Sequence, residues 1–299
     1  MRMSEVRKFR SVPASGTAYG EVLAGVRQSL SGWSNEVVRA GMVRALSGSM
    51  PLYVVNEYPK SGGTWVGQML GRALGVPFPR NRFPVARASI MHGHYLSPLG
   101  IKNAVVVWRD GRDVMVSWYH QQLIPHQWNR RQVARSRREL PLEDYEDVRA
   151  NLPAFIEYAF TRPHSPGFSW TDFVRRWYWR SEAVHVRYED LRRDAAGELR
   201  RVTRELIGRE LGPGRAAEIA EEFSFERQAG RRSGEEDKRS FLRKGVVGDW
   251  RNQFSKGARE TFDRYAGKEL VLLGYEHDSS WIEDTEEKYT ANSDTGGPG

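Results

Sequence analysis

The chain has 299 residues, of which 39% are hydrophobic and 28% charged, with a net charge of +8 and no cysteine. That length can bury a full core in one large domain or two modest ones. The missing cysteines exclude disulfides, zinc–thiolate sites and cysteine nucleophiles, and they fit a reducing compartment.

No apolar run approaches the length of a membrane helix, and no apolar stretch follows the basic segment from Met1 to Arg10. A cytoplasmic protein without stable membrane insertion is therefore expected. Of the 46 basic residues, 38 are Arg; the 24 residues from Glu276 onward carry −6, which leaves the preceding body at +14. Such a body suits polyanionic partners: nucleic acid, anionic membrane or a multiply phosphorylated small molecule. A solvated Arg-rich surface has the same composition, and charge alone does not choose among these.

Residues 1–16 read as a poorly ordered lead-in. From Tyr19 to Leu46, apolar residues recur at near-helical spacing, with Gly32 as a break. This segment packs on the main domain or covers its cleft, or else forms a basic amphipathic membrane contact. Leu52–Asn56 is short and apolar enough for a buried strand. Tyr58–Trp65 is a glycine turn that leads into a helix. A Pro/Arg-rich connection at residues 77–87 precedes Ser89–Tyr95. Ala104–Trp108 is an unbroken β-branched run and reads as a buried strand.

Residues 123–168 contain five prolines and read as helices broken by loops. Thr171–Arg180 is helical, and Ala183–Tyr188 is a further strand. Helices are expected over 196–222 and 256–273, with a Gly-rich charged loop at 229–245. The tail after Asp278 is polar, acidic and expected to be disordered. Strands alternating with helices predict an α/β fold, a three-layer domain with a central parallel sheet and a P-loop-like anion loop. The expected division is a helical segment at 1–50, the main domain at 51–277 and the tail at 278–299.

Three stretches carry chemistry. In Tyr58-Pro59-Lys60-Ser61-Gly62-Gly63-Thr64-Trp65, Gly62 and Gly63 let the backbone approach an anion. N–H groups at the following helix start point at negative charge, and Lys60, Ser61 and Thr64 add side-chain donors. The loop is not a Walker A sequence, because Lys60 precedes the glycines. In Arg109-Asp110-Gly111-Arg112-Asp113, Arg109 leaves the C-terminal end of a strand, where ligands of open α/β sheets bind. Ser117 lies about two helical turns further on. A guanidinium and a hydroxyl there can hold one phosphate. Arg112 and Asp113 fit better as a local ion pair at the helix start. Arg243-Lys244-Gly245 sets two cations beside a bare N–H.

These stretches, in this order, resemble the PAPS-dependent sulfotransferases, where PAPS is 3′-phosphoadenosine 5′-phosphosulfate. The loop at 58–65 resembles the family's 5′-phosphosulfate loop. The segment 105–119 resembles its 3′-phosphate segment, and Phe241–Phe254 is similar to its R-K-G-x-x-G-D-W loop. Arg187-Tyr188-Glu189-Asp190-Leu191 is similar to the family's R-Y-E-D-L.

The resemblance implies an enzyme that moves a sulfuryl group from PAPS to an acceptor hydroxyl or amine by in-line displacement, without a metal. It implies cofactor contacts from Lys60, Ser61, Gly62, Gly63, Thr64, Trp65, Arg109, Ser117, Tyr188, Phe225, Arg243, Lys244 and Gly245. Trp65 and Phe225 stand where the family sandwiches the adenine, and Tyr188 where it contacts that ring. Lys60 is expected to steady the departing phosphate of PAP, the 3′,5′-bisphosphate product.

His92-Gly93-His94 occupies the place of the family's K-T-H. By offset, His94 is the candidate base and His92 the alternative, with the Glu57 carboxylate a third. Lys256 falls at an apolar position of the family's dimer motif, so the oligomeric state stays open. The acceptor is a small molecule, a glycan or a lipid, with no nucleic acid partner. Two other classes share parts of this pattern: a P-loop kinase-like phosphotransferase, and a non-catalytic binder of PAP or nucleic acid.

Overall fold

The computed structural model describes residues 37–80, 88–126, 128–164, 166–238, 240 and 242–283. Most of the segment from Tyr19 to Leu46, the Gly32 break, Phe241 and the acidic end of the chain lie outside the described residues.

Four strands form one parallel sheet in the order β2-β1-β3-β4. They are β1 (Leu52–Glu57), β2 (Ser89–Gly93), β3 (Ala104–Trp108) and β4 (Val184–Arg187). The register sets Val55 beside His92 on one side and beside Val105 on the other. Every residue of β3 is buried, as its β-branched run requires in a sheet covered on both faces.

Alternation along the strands divides the core in two. Val55, Val105, Val107 and Val186 face a cluster that includes Leu70 of α2 (Gly63–Leu74), Leu199 of α8 (Ala195–Ile207) and Ile219 of α9 (Pro213–Glu222). Val54, Val106 and Trp108 face a larger cluster. It includes α3 (Gly111–Leu123), α5 (Val148–Thr161), α6 (Trp170–Trp177) and α12 (Lys256–Leu272). The expected three-layer α/β domain is thus present. The helix over residues 37–46, here α1, packs on it through Val43, which is fully buried in the larger cluster.

Residues 279–282 correct the expected tail. They form a 3₁₀ turn, and Trp281 is buried against Trp250 and Phe262. An indole removes too much apolar surface from water to stay outside a core that has room for it. The folded unit therefore runs past the expected boundary at residue 278.

Trp281 also covers Arg112, whose guanidinium lies 3.8 Å from the Trp250 ring centroid and 4.7 Å from that of Trp281. Arg112 donates to both carboxylate oxygens of Asp110 and pairs with Glu276. Its partner at the helix start is thus Asp110 rather than Asp113. Asp113 accepts instead from the backbone N–H groups of Gly248 and Trp250, tying the 242–250 loop to α3. Removing a buried cation strands its carboxylates. Arg112→Ala is expected to lower unfolding free energy by about 3–5 kcal/mol, read from urea denaturation midpoints.

Candidate active site

The turn from β1 into α2 is held open by two close approaches. Gly62 has φ of 103°, and a Cβ there would come within 2.8 Å of the Tyr188 ring. A Cβ on Gly63 would sit 2.7 Å from the Glu57 carboxyl carbon. The N-cap residue of α2, Gly62, has no side chain with which to cap it. Glu57 Oε2 does that work by accepting from the Gly63 N–H at 2.5 Å. Lys60, between them, has φ of 74°, a left-handed conformation that costs energy in a residue with a Cβ.

The loop opens onto a cavity of about 730 Å³ at the C-terminal ends of β1 and β3. This is where the strand order reverses, the usual ligand crevice of an open α/β sheet. Lys60, Gly62, Thr64 and Trp65 line it from the loop and α2. Arg109 and Ser117 enter from β3 and α3, and Tyr188 and Phe225 from the far wall. Arg243, Lys244 and Gly245 close one side, and His92 and His94 another. Two expected contacts are not on the cavity wall. Ser61 is buried, and Gly63 lies under Glu57. Residues nearly 200 positions apart in sequence thus share one chamber.

Its electrostatics follow from the crowding of cations. Burial, helped by Arg109, Arg243 and Arg80, pulls the Lys60 ammonium down to about 8. The Arg109 guanidinium donates to the Lys60 carbonyl at 2.9 Å and lies 4.4 Å from the Tyr188 ring centroid, while its buried Nε has no partner. Trp65 Nε1 is likewise buried and unpaired.

Arg243 and Lys244 both donate to Asp249, at 2.6 and 2.5 Å. Burial would raise that carboxyl, but these two donors hold it down near 2. Sequence reasoning gave Asp249 no role beyond its place in the loop. Its position five residues after Lys244 was the available signal.

Cations clustered around bare glycines, with orphaned donors, fit a ligand carrying several phosphates. A Cβ on Gly245 would fall 2.3 Å from the Phe225 ring, so the loop and the aromatic wall meet closely there. The residues present therefore suit PAPS. Lys60, Arg109, Arg243 and Lys244 would hold its phosphates, and Trp65, Tyr188 and Phe225 its base.

The other end of the cavity is a histidine pair on Glu57. His92 Nε2 lies 3.0 Å from Glu57 Oε1, and both residues are buried. Burial would raise the Glu57 carboxyl, but the hydrogen bond with His92, the two neighbouring histidines and the Gly63 N–H bring it below its ordinary value. Each of its oxygens is engaged, which leaves it poorly placed to take a substrate proton.

His94 Nδ1 lies 2.8 Å from the Glu57 carbonyl oxygen. A carbonyl can only accept, so Nδ1 carries the proton and Nε2 keeps its lone pair. Burial and the neighbouring His92 pull His94 down to about 4, so it is neutral at physiological pH. Glu57, His92 and His94 also place one ligand atom each within 4.8 Å of one another, a spacing that sequence reasoning did not find.

Known proteins resemble this chain in sequence and in fold. Residues 101–274 match the sulfotransferase domain model. The chain is similar to sulfotransferase 1C2 of Homo sapiens, at 27% identity over 241 residues, covering 70% of this chain and 80% of that protein. It is also similar to the amine sulfotransferase of Oryctolagus cuniculus, at 24% identity over 263 residues, covering 72% of this chain and 79% of that one.

Among solved structures, mouse sulfotransferase SULT7A1 complexed with PAP aligns with a TM-score of 0.56 and 21% identity, over 82% of this chain and 92% of that one. Retinol dehydratase in complex with retinol and PAP aligns with a TM-score of 0.51 and 17% identity, over 74% of this chain and 82% of that one. The chain belongs to the sulfotransferase family. It is an enzyme of sulfuryl transfer, with PAPS as donor.

Two pH effects follow. The Lys60 ammonium is lost as pH rises through about 8, so PAP affinity, measured by calorimetry, is expected to fall above that pH. His120 is buried on α3, and burial with the nearby Arg243 and Lys238 pulls it down to about 3. The unfolded chain then binds a proton below the ordinary imidazole value near 6.5 that the folded one refuses. Stability attributable to His120 is present above that value and is lost as pH falls toward 3. His120→Gln is expected to flatten the decline in urea midpoint between pH 7 and 4.

Proposed function

We propose that His94 is the general base, Lys60 the group that steadies the departing phosphate, and the acceptor a small molecule bearing a hydroxyl or amine. The observation that supports it most is the hydrogen bond from His94 Nδ1 to the Glu57 carbonyl, which leaves Nε2 unprotonated on the cavity wall. A neutral imidazole so oriented accepts a proton without first losing one.

PAPS supplies the sulfuryl group, whose bond to the 5′-phosphate oxygen breaks as its bond to the acceptor oxygen forms. The acceptor proton goes to His94 Nε2, and the electron pair of the broken bond stays on the phosphate. Lys60, on the cavity wall, is in this reading the cation for the growing charge. Arg109, Ser117, Arg243 and Lys244 hold the 3′-phosphate in this reading. His92 acts through Glu57: its bond keeps the carboxylate ionised and in place beneath the loop.

The main domain extends from residue 51 through Trp281, with α1 as an added cover. Among the described residues, no helix is long and apolar enough to cross a membrane. The absence of cysteine fits a reducing compartment such as the cytoplasm.

Loss of a base and loss of a charged phosphate contact differ in kind. His94→Ala is expected to lower kcat by about 10²–10⁴-fold with PAP affinity nearly intact. Lys60→Ala is expected to lower kcat and weaken PAP binding together. Steady-state rates beside calorimetry separate the two. A silent His94→Ala with an inactive His92→Ala would exchange the roles of the histidines.

A further inference from the structure

The sulfuryl-transfer reading leaves one wall of the cavity without a task. It is built from side chains of α3, of α4 (Arg130–Glu139) and of the residues between them, and Arg80 lines the same cavity. On α3, Gln121 lies one turn beyond Ser117, so one helix face carries a phosphate contact and then an amide. Gln121 Oε1 meets His126 Nε2 at 3.4 Å, and its Nε2 meets Gln132 Oε1 at 3.5 Å. Both bonds are long, so these groups can turn to better partners at little cost.

The wall is fixed from behind by Asn129. Its side chain accepts from the His126 N–H at 2.7 Å and donates to the Gln121 and Ile124 carbonyls at 2.7 and 2.9 Å. Trp128 lines the cavity and is 83% exposed, an unusual position for an indole without a partner surface.

Arg80 faces the cavity too, and has φ of 51°. Only Lys60, Arg80 and Asn103 among the described non-glycine residues have positive φ, and two of these three line the cavity. Strain of that kind is kept where a side chain must be aimed. Arg80 is near enough to Lys60 to help depress its ammonium, so its charge acts close to the reacting end.

Pockets for apolar ligands are lined mainly by hydrophobic side chains with a few polar ones. Here the apolar lining is mostly aromatic, from Trp65, Trp118, Trp128, Tyr188, Phe223 and Phe225, with Pro59, Leu242 and Val246 beside it, and Gln121, His126, Gln132 and Arg80 are among the polar side chains set between them.

We propose that the acceptor is a hydroxyl-rich molecule bearing a negative charge, of the kind an acidic sugar presents. Arg80 receives its anionic group, Gln121, Gln132 and His126 bind its hydroxyls, and the Trp128 indole covers one face. The amides offer both donors and acceptors, as a polyol needs. A guanidinium offers a fork that matches a carboxylate. Exposed Arg130, next to Asn129 at the start of α4, adds to a field that draws anions to the mouth.

This rests on the sulfuryl-transfer reading, so the test reads donor and acceptor separately. The enzyme is assayed by product mass with PAPS and three acceptors: p-nitrophenyl β-D-glucuronide, p-nitrophenyl β-D-glucoside and p-nitrophenol. The expected order of kcat/KM is glucuronide, then glucoside, then the phenol, with about tenfold or more between the two glycosides from one charge-assisted contact. Arg80→Gln is expected to bring the glucuronide-to-glucoside ratio near one. Gln121→Leu is expected to raise KM for both glycosides while PAP affinity, read by calorimetry, is kept.

A phenol better than either glycoside, a ratio unmoved by Arg80→Gln, or no glycoside transfer by an enzyme that binds PAP would each overturn the proposal and leave the donor reading standing. Failure of the wild-type enzyme to bind PAP would remove that reading, and this proposal with it.

Discussion

One carboxylate joins the two ends of this site. Glu57 closes β1, and its oxygens reach in different directions, one to the first N–H of α2 and the other to His92 on the neighbouring strand. Its carbonyl oxygen meets His94. The glycine turn into α2 and the two imidazoles on the cavity wall are therefore referred to a single residue. A charge so deeply placed is tolerable only with several donors, and Glu57 has them. The cost of disturbing it would fall on the turn and on both imidazoles at once.

The second constraint is repulsion. Lys60, Arg80, Arg109, Arg243 and Lys244 share a chamber of about 730 Å³. Like charges destabilise one another, and this repulsion adds to burial, the larger cause, in lowering the Lys60 ammonium. Asp249 offsets two of the five by direct pairing. Asp113 holds the loop that carries them from the other side, through two backbone N–H groups. The arrangement stores binding capacity for an anionic ligand, because phosphates relieve the repulsion that the empty protein bears.

Much of this could be read from the sequence where position along the chain determines geometry. The β-branched run at 104–108 can only be a covered strand, and the glycines at 62 and 63 announce a close approach. Arg109 and Ser117 fall on one helix-start face by counting turns. What escaped depended on contacts across the fold. Glu57 and His92 are 35 residues apart, and nothing local shows that one carboxylate would cap α2 and orient a histidine. Trp281 sits in an acidic stretch whose composition points to solvent, yet its burial is decided by Arg112 and Trp250. Gln121, His126 and Gln132 form a wall only because a loop returns one helix beside another. No charge or glycine pattern marks such a return.

The contact between Arg39 and the His92 carbonyl shows how far inward the start of the chain reaches. Arg39 is buried on α1, and its guanidinium donates to the backbone of the histidine that grips Glu57. Every recognisable motif begins later, at Tyr58. A shortened chain opening at Met50 would preserve all of those motifs and still lose the brace on β2. Swapping amino-terminal segments between such enzymes would thus alter the pose of His92 and His94 while leaving each signature sequence intact.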